Sequence, residues 1–253
     1  TINYPAVLKS LFSNLQTYNH LENTQCWVIG DLKTPPSCET LCNQISYQGL
    51  ETIYVDVPMQ DRWGKQFPEF YQQIPYNNET RRNIGYLLAL EHGCKRLISI
   101  DDDNFPVDDD FIGAHQVTGE TISGNLFSDK SGYLNICEFL EIRPDRKIYP
   151  RGFPLGLRNQ PNEITSSLSL PEMKAGSNAG LWLKEPDVDA ITLLNGKIEA
   201  VAYRGPRSIF LDHTTWCPIN TQNTSIIRDL IPAFLCIPMG YPVPGGKIER
   251  FGD

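Results

Sequence analysis

The sequence predicts an α/β fold, a single domain with a mainly parallel, Rossmann-like central sheet. Three short apolar runs rich in β-branched residues predict buried strands, at residues 26–29, 52–55 and 95–100. Segments of helical periodicity stand between these runs, and strands that alternate with helices form right-handed parallel units. The chain has 253 residues, which is long enough to bury a core of this kind.

The helices are predicted from apolar spacing and from residues that favour helix ends. Pro5 suits the first turn of a helix, and Ser37 is a candidate cap for a second. Asn78 or Thr80 begins the clearest helix, which Gly93 would end in the left-handed conformation. The apolar faces of the three helices hold Leu8, Leu11, Phe12 and Leu15; Leu41 and Ile45; and Ile84, Leu87 and Leu88.

Other segments carry weaker signals. Residues 58–76 are rich in Pro, Gln and aromatic residues and are predicted to be irregular. The acidic residues 108–110 are typical of a helix start, and a late helix is expected around residues 228–234. Within the single domain we expect a nucleotide-binding half at about residues 1–105 and an acceptor or sugar half at about 106–253.

Composition limits the classes of function. The 22 basic and 30 acidic residues leave a net charge of −8, which argues against a nucleic-acid binder. No run approaches the ~20 apolar residues of a membrane span, and the chain does not begin with a signal-peptide pattern. Seven cysteines without a CxxC pair favour reduced thiols and a cytoplasmic location. The alternative is a lumenal or peripheral Golgi-type domain of a longer protein.

Three consecutive carboxylates, Asp101, Asp102 and Asp103, follow the strand predicted at 95–100. Such a cluster is relieved either by a hard cation or by solvent in an acidic turn. Side chains alternate in an extended chain, so Asp101 and Asp103 would point the same way and could hold one ion. The position at a strand end favours a metal site, because ligands of open α/β sheets bind there.

Two further regions carry chemistry suited to a sugar phosphate. A turn-rich loop at residues 148–158 contains Arg151 and Arg158, and arginine grips phosphate in a bidentate manner. Asn178, Trp182 and Asn223 lie in segments whose small, aromatic and neutral polar residues could line a sugar pocket. For the loop, solvated surface arginines are the alternative, and for Trp182 a place in the core.

Several of these motifs together resemble known families. The IDDD sequence at 100–103 resembles the DxD motif of GT-A nucleotide-sugar glycosyltransferases. An ordered set is similar to the plant reversibly glycosylated polypeptides, which act as UDP-arabinopyranose mutases. That set is RNIGY at 82–86, IDDD at 100–103, RGFP at 151–154, GLWL at 180–183 and PDVDA at 186–190. GDLKTP at 30–35, RRNIGYL at 81–87 and PRG at 150–152 also resemble the STELLO proteins.

The resemblance implies roles for particular residues. Asp101 and Asp103 would hold a divalent ion, Mn²⁺ or Mg²⁺. Arg151 matches the arginine that becomes glycosylated in the mutases, although a phosphate clamp suits a protonated guanidinium better. The implied sets are nucleotide-binding Thr1, Asp31, Arg82, Asp101 and Asp102; catalytic Asp253 as general base with Arg151 and Arg158; and sugar- or acceptor-binding Asn178, Trp182 and Asn223.

The function expected from these residues is a metal-dependent glycosyltransferase that uses a nucleotide sugar, a UDP-sugar in particular. Its acceptor could be a glycan, a protein or a small molecule. One alternative is a UDP-sugar mutase that interconverts pyranose and furanose forms and glycosylates itself. The other is a non-catalytic protein that binds a sugar nucleotide or a carbohydrate.

Overall fold

The computed structural model describes residues 1–107, 109–168, 173–237 and 241–248. These residues form a mixed α/β fold whose contacts divide it into two compact units. The first unit contains the described parts of residues 1–119, 176–178 and 221–251. The second unit contains the described parts of residues 120–175 and 179–220.

The α-helices are mostly short. In chain order they are α1 (Val7–Thr17), α2 (Ser37–Tyr47), α3 (Val57–Gly64), α4 (Pro68–Tyr71), α5 (Arg82–Glu91), α6 (Phe111–His115) and α7 (Ala190–Leu194). Short 3₁₀ helices occur at Leu21–Asn23, Glu79–Arg81, Ile136–Phe139, Leu155–Leu157 and Arg228–Phe234.

The strands belong to several small sheets. In chain order they are β1 (Gln25–Ile29), β2 (Glu51–Val55), β3 (Arg96–Ile100), β4 (Asn125–Asp129), β5 (Leu140–Arg143), β6 (Ile164–Leu168), β7 (Ser177–Ala179), β8 (Glu199–Tyr203), β9 (Phe210–Leu211), β10 (Asn223–Ile227), β11 (Tyr241–Val243) and β12 (Gly246–Ile248).

In the first unit, β1 and β2 are parallel, and β10 lies between β3 and β7 in a second sheet. The strand β10 runs antiparallel to β3, with Asn223 opposite Ile100. Helices α1 and α2 bury their apolar faces with Val28 of β1 in one core. Helix α5 approaches β1 closely at Gly85, where a Cβ atom would stand 2.7 Å from Ile29 Cγ1. The carboxyl end of β1 is thereby held by packed helices.

In the second unit, β4 pairs antiparallel with β6 and parallel with β9, while β5 pairs antiparallel with β8. Its core is formed by Leu134, Ile136, Cys137, Leu140, Ile142, Ile148, Val188, Ile198 and Ala200. The loop that contains Arg151 begins at the buried residues Ile148 and Tyr149, so its start is anchored in this core.

The predicted helices and strands of the first hundred residues are confirmed, with differences at their ends. Asn78 accepts a hydrogen bond from Thr80 N (3.0 Å), and Gly93 has a φ of +78° beyond α5. Asp110 caps α6 through Gly113 N (2.8 Å), which agrees with an acidic helix start, although Asp108 lies outside the described residues. Ser37 makes no capping hydrogen bond, because it is the first residue of α2 rather than the residue before it.

Two expectations differ from the structure. The segment 58–76 is largely helical, because Asp56 caps α3 through Met59 N (2.7 Å) and a proline lies at the first turn of both α3 and α4. In the part of the chain that the structure describes, the pairs β1–β2 and β4–β9 are parallel, whereas β3–β10, β4–β6, β5–β8 and β11–β12 are antiparallel. The neighbour of β3 is β10, from late in the chain, so a single mainly parallel sheet is not seen.

A search of the described residues for a helix both long enough and apolar enough to cross a membrane finds none.

Candidate functional site

The three aspartates predicted to bind a metal form a turn after β3. The backbone N–H of Asn104 donates to Asp101 O (3.2 Å), so the chain bends instead of continuing in extended form. Gln222 O, next to β10, accepts from Asp101 N (3.1 Å) and from Asn104 Nδ2 (3.0 Å). The turn is therefore anchored at both of its ends, and the alternation expected of an extended chain does not apply.

Arg82 contacts this turn from the start of α5. Its Nη2 atom lies 3.0 Å from Asp101 Oδ1, and its Nη1 atom donates to the hydroxyl of Thr221. The side chains of Arg82 and Asp101 are 24% and 26% exposed. Both groups thus combine a defined position with an accessible surface, the combination that binding a charged ligand requires.

The remaining predicted nucleotide-binding residues join the same cluster. The Thr1 hydroxyl donates to the Asp102 carboxylate, and Thr1 O accepts from the Thr34 hydroxyl. That hydroxyl accepts in turn from Asp31 N (2.7 Å). The structure therefore brings Thr1, Asp31, Arg82, Asp101 and Asp102 to the carboxyl ends of β1 and β3, where ligands of α/β sheets bind.

Asp31 differs from the other carboxylates because it is only 7% exposed. Its Oδ1 atom accepts from Leu32 N (2.7 Å), and its Oδ2 atom accepts from Asn78 N (3.3 Å). These hydrogen bonds compensate the burial of the carboxylate and fix its orientation. Asp31 is therefore better suited to accept a hydrogen bond from a neutral group of a ligand than to attract a distant cation.

Asp101 and Asp103 of the turn are the residues predicted to bind a metal ion. The described residues contain no group of three or more His, Cys, Asp and Glu side chains placed to hold an ion. Asp101 and Asp103 supply hard oxygen donors, which suit Mg²⁺ or Mn²⁺ when phosphate oxygens and water complete the coordination. The type of donor atom therefore fits a hard divalent ion, although the described residues supply no complete set of ligands.

Asn178 and Asn223, predicted to bind sugar, meet at a residue that the sequence did not single out. His115 Nε2 lies 2.8 Å from Asn223 Oδ1, and His115 Nδ1 lies 3.1 Å from Asn178 Nδ2. Ser225 Oγ lies 3.0 Å from the same Nδ1 atom. These contacts favour the neutral tautomer with the proton on Nε2, and burial lowers the pKa of His115. The sequence holds no local sign of this role.

In the second unit, Arg151 forms an ion pair with Asp187, which also accepts a hydrogen bond from Asn220 Nδ2 (2.6 Å). The side chain of Asp187 is 7% exposed, whereas that of Arg151 is 29% exposed. Pro150 and Val188 form an antiparallel bridge beside the pair. The arginine loop is thus attached to the segment that contains Asp187.

Arg158 is held in a similar way by Asp189. Its Nη1 atom lies 3.1 Å from Asp189 Oδ1, and its guanidinium lies over the ring of Tyr149. Asp189 also caps α7 through Thr192 N (3.1 Å) and the Thr192 hydroxyl (2.5 Å). The sequence reasoning did not predict these two aspartate partners, although both stand in the PDVDA segment.

Trp182 lies in a narrow surface depression with Arg151, Asp187 and Asn220. Its indole Nε1 atom is buried, and among the described residues it has no hydrogen-bond partner. A ligand or water oxygen could accept from it. The third predicted catalytic residue, Asp253, lies outside the described residues.

Comparison with known proteins adds a partial similarity. No model of a protein family matches the chain. The chain is 25% identical to "Probable glycosyltransferase STELLO1" of Arabidopsis thaliana over 172 residues, which is 60% of this chain and 21% of that protein. It is 27% identical to "Probable glycosyltransferase STELLO2" of the same plant over 127 residues, 47% of this chain and 16% of that protein. The chain is thus distantly related to proteins named as glycosyltransferases and matches about a fifth of their length.

Proposed function

We propose that this chain is a metal-dependent glycosyltransferase of GT-A fold that takes its sugar from a UDP-sugar. One observation carries the proposal: Arg82, Asp31 and the turn of aspartates are joined at the carboxyl ends of β1 and β3. The distant relationship to the two plant proteins points to the same reaction class.

In the donor half of the site, the charged groups would bind the nucleoside diphosphate. Cleavage of the bond between sugar and phosphate leaves a nucleoside diphosphate whose negative charge grows in the transition state. Arg82 would lie against the phosphates and Asp31 near the nucleoside, with Thr1 and Asp102 completing the nucleotide contacts. A divalent ion held by Asp101 and Asp103 would supply further compensation of the diphosphate charge.

The acceptor half rests on the resemblance and on hydrogen-bonding chemistry. Asp253 would remove the proton from the acceptor hydroxyl, while Arg151 and Arg158 act on the transferred group. Asn178, Trp182 and Asn223 would bind hydroxyl groups of sugar or acceptor. The buried indole N–H of Trp182 supports this assignment, because a sugar hydroxyl oxygen can accept from it.

One observation counts against the mutase alternative with self-glycosylation. The ion pair with the buried Asp187 favours the protonated guanidinium of Arg151, and a protonated guanidinium has no lone pair to attack a sugar carbon. A phosphate or leaving-group contact is therefore the better role for Arg151.

The decisive experiment has two stages. Thermal unfolding with UDP, GDP and CMP, each with and without Mn²⁺, should show the largest stabilisation with UDP and Mn²⁺ together. Incubation with a UDP-sugar and a panel of acceptors, followed by product analysis, then separates the alternatives. A transferred sugar supports the proposal, a ring-isomerised nucleotide indicates a mutase, and binding without any product indicates a non-catalytic protein. Absence of any nucleotide effect would refute the donor site.

A further inference from the structure

A buried glutamine–arginine pair lies at the carboxyl ends of β1 and β2. Gln60 is fully buried, and Arg81 is 2% exposed. The Gln60 amide nitrogen donates to Gly30 O (2.7 Å) and to Val55 O (2.8 Å). Its amide oxygen accepts from Arg81 Nε (2.9 Å) and Nη2 (2.6 Å). One side chain thus connects the ends of two parallel strands to a guanidinium group.

The charge of Arg81 is held without a direct ion pair among the described residues. Its guanidinium lies 4.3 Å from the ring centre of Tyr76 and donates to the hydroxyl of Tyr71 (2.8 Å). Both tyrosine hydroxyls donate to Asp61, at 2.5 and 2.7 Å, and these hydrogen bonds lower the pKa of that carboxyl group. The Asp61 carboxylate is thus linked to Arg81 by hydrogen bonds through the Tyr71 hydroxyl and by charge attraction.

Such an arrangement is more costly than packing requires. A buried cation loses its hydration, and replacing buried charged groups by apolar residues of similar volume is often neutral or stabilising. Stability therefore does not explain why the chain contains this buried pair. A buried polar network that is fully hydrogen-bonded gives up little positional freedom, so it can hold neighbouring groups at a fixed separation.

Gln60 and Arg81 are each connected to a residue of the proposed donor site. Gly30 immediately precedes Asp31, and Arg81 immediately precedes Arg82. Asn78, three residues before Arg81, donates directly to the Asp31 carboxylate. A shift of Gln60 would therefore move Asp31 relative to Arg82.

We propose that Gln60 and Arg81 are positioning residues, which set the separation of Asp31 and Arg82 and thereby the affinity for a nucleoside diphosphate. This inference rests on the proposed function, because it assumes that Asp31 and Arg82 bind the two ends of the donor. Gln60 and Arg81 are both buried, so neither side chain would touch the donor itself.

The test separates positioning from stability. In the double variant Gln60→Met and Arg81→Met, apolar side chains of similar length replace the pair, so urea unfolding should show only the modest loss expected when one carbonyl, Gly30 O, loses its donor. The Kd for UDP in the presence of Mn²⁺ should nevertheless rise at least about tenfold. Hydrogen exchange should become faster in the segments 30–34 and 78–82. Ile45→Val, a core change in α2 away from the pair, is the control for a general loss of stability.

Gln60→Glu is the second variant and does not depend on the double variant folding well. It keeps the acceptor for Arg81 but places an oxygen against Gly30 O and Val55 O, so the same loss of UDP affinity is expected. Gln44→Glu on the exposed face of α2 controls for the added charge. UDP binding by both pair variants that equals that of the unchanged protein overturns the inference and leaves the proposed function standing. A loss of affinity that follows stability, and that Ile45→Val shares, also overturns it. If the unchanged protein does not bind UDP, the proposed function itself fails.

Discussion

The two units both contain arginine–aspartate pairs, but they differ in how much of each pair a ligand could reach. In the first unit, Arg82 and Asp101 are each about a quarter exposed, at 24% and 26%. In the second unit the aspartates are less accessible, at 7% for Asp187 and 10% for Asp189. Each of these also holds a second group, Asn220 or Thr192.

The difference shows that the same two residue types can serve different purposes. A partly exposed pair beside further carboxylates can rearrange around a charged ligand at small cost. A pair whose aspartate is buried and caps a helix mainly fixes a loop, because breaking it leaves a buried charge. We therefore expect changes in the first unit to alter donor binding and changes at Arg151 to alter transfer.

The largest loss of sugar transfer is expected from a change at Asp253. This change tests whether transfer can be lost while donor binding is kept. Asp253→Asn keeps size and hydrogen bonding but cannot take a proton, so transfer should fall by roughly 10² to 10⁴. UDP affinity should stay the same, as measured by calorimetry on the same sample. Transfer at the original rate would place the general base elsewhere.

Asp103→Asn tests the metal side of the first unit. The change removes a charge that would bind the ion, so transfer should fall about 100-fold. UDP affinity should drop only when Mn²⁺ is present, which titration with and without the ion can measure. Asp109→Asn, on the exposed surface of the same unit, is the matched control. Equal UDP affinity with and without Mn²⁺ in the unchanged protein would contradict the assignment.

Arg82→Met tests the partly exposed pair of Arg82 and Asp101 directly. Loss of a charge-assisted hydrogen bond to phosphate should weaken UDP binding by ~2 kcal/mol, or about 30-fold. Arg62→Met removes an exposed arginine from α3 in the same unit and should leave UDP binding unchanged. If both variants bind UDP equally well, the pair with Asp101 is structural, and the contrast between the units disappears.

Arg151→Lys tests the second unit. Lysine keeps the charge opposite Asp187 but loses the planar fork, so transfer should fall about tenfold, ~1.4 kcal/mol of transition-state stabilisation. UDP affinity should not change, in contrast to Arg82→Met. Arg143→Lys, whose parent side chain is 72% exposed, is the control. Unchanged transfer by the folded variant would leave Arg151 with only its loop-fixing role.

The smallest effect concerns pH and His115. Burial lowers the pKa of His115 below its ordinary value of 6.5, so the folded state disfavours the protonated form. The contribution of His115 to stability is therefore complete above about pH 6.5 and is lost as the pH falls towards the lowered folded-state pKa. Urea unfolding between pH 7.5 and 5.5 should show a shallower decline for His115→Gln. Identical pH slopes for both proteins would contradict this linkage.

The sequence by itself determined the helices α1, α2 and α5, the strands β1 to β3 and the place of the aspartate turn. Apolar periodicity, an Asn cap and a terminal glycine define α5 and β3 through neighbours a few residues apart. The aspartates after β3 followed from the rule for strand ends, whereas Asp31 and Arg82 were named only through the family resemblance. The cap at Asp56 with Pro58 was also readable as the start of α3, but the polar and aromatic composition after it obscured the signal.

Tertiary structure alone decided which distant segments complete the site. His115 and Asn223 stand 108 residues apart in the sequence, and Arg151 and Asp187 stand 36 apart. Periodicity shows that a strand buries one face, but it does not show which strand lies beside it, because pairing depends on the whole chain. The same reason explains why β10, from late in the chain, and not an early strand, stands beside β3. The sequence named Arg82, Arg151 and Arg158 equally, and only the structure showed that Arg82 pairs with a partly exposed aspartate, whereas the aspartates beside Arg151 and Arg158 are nearly buried.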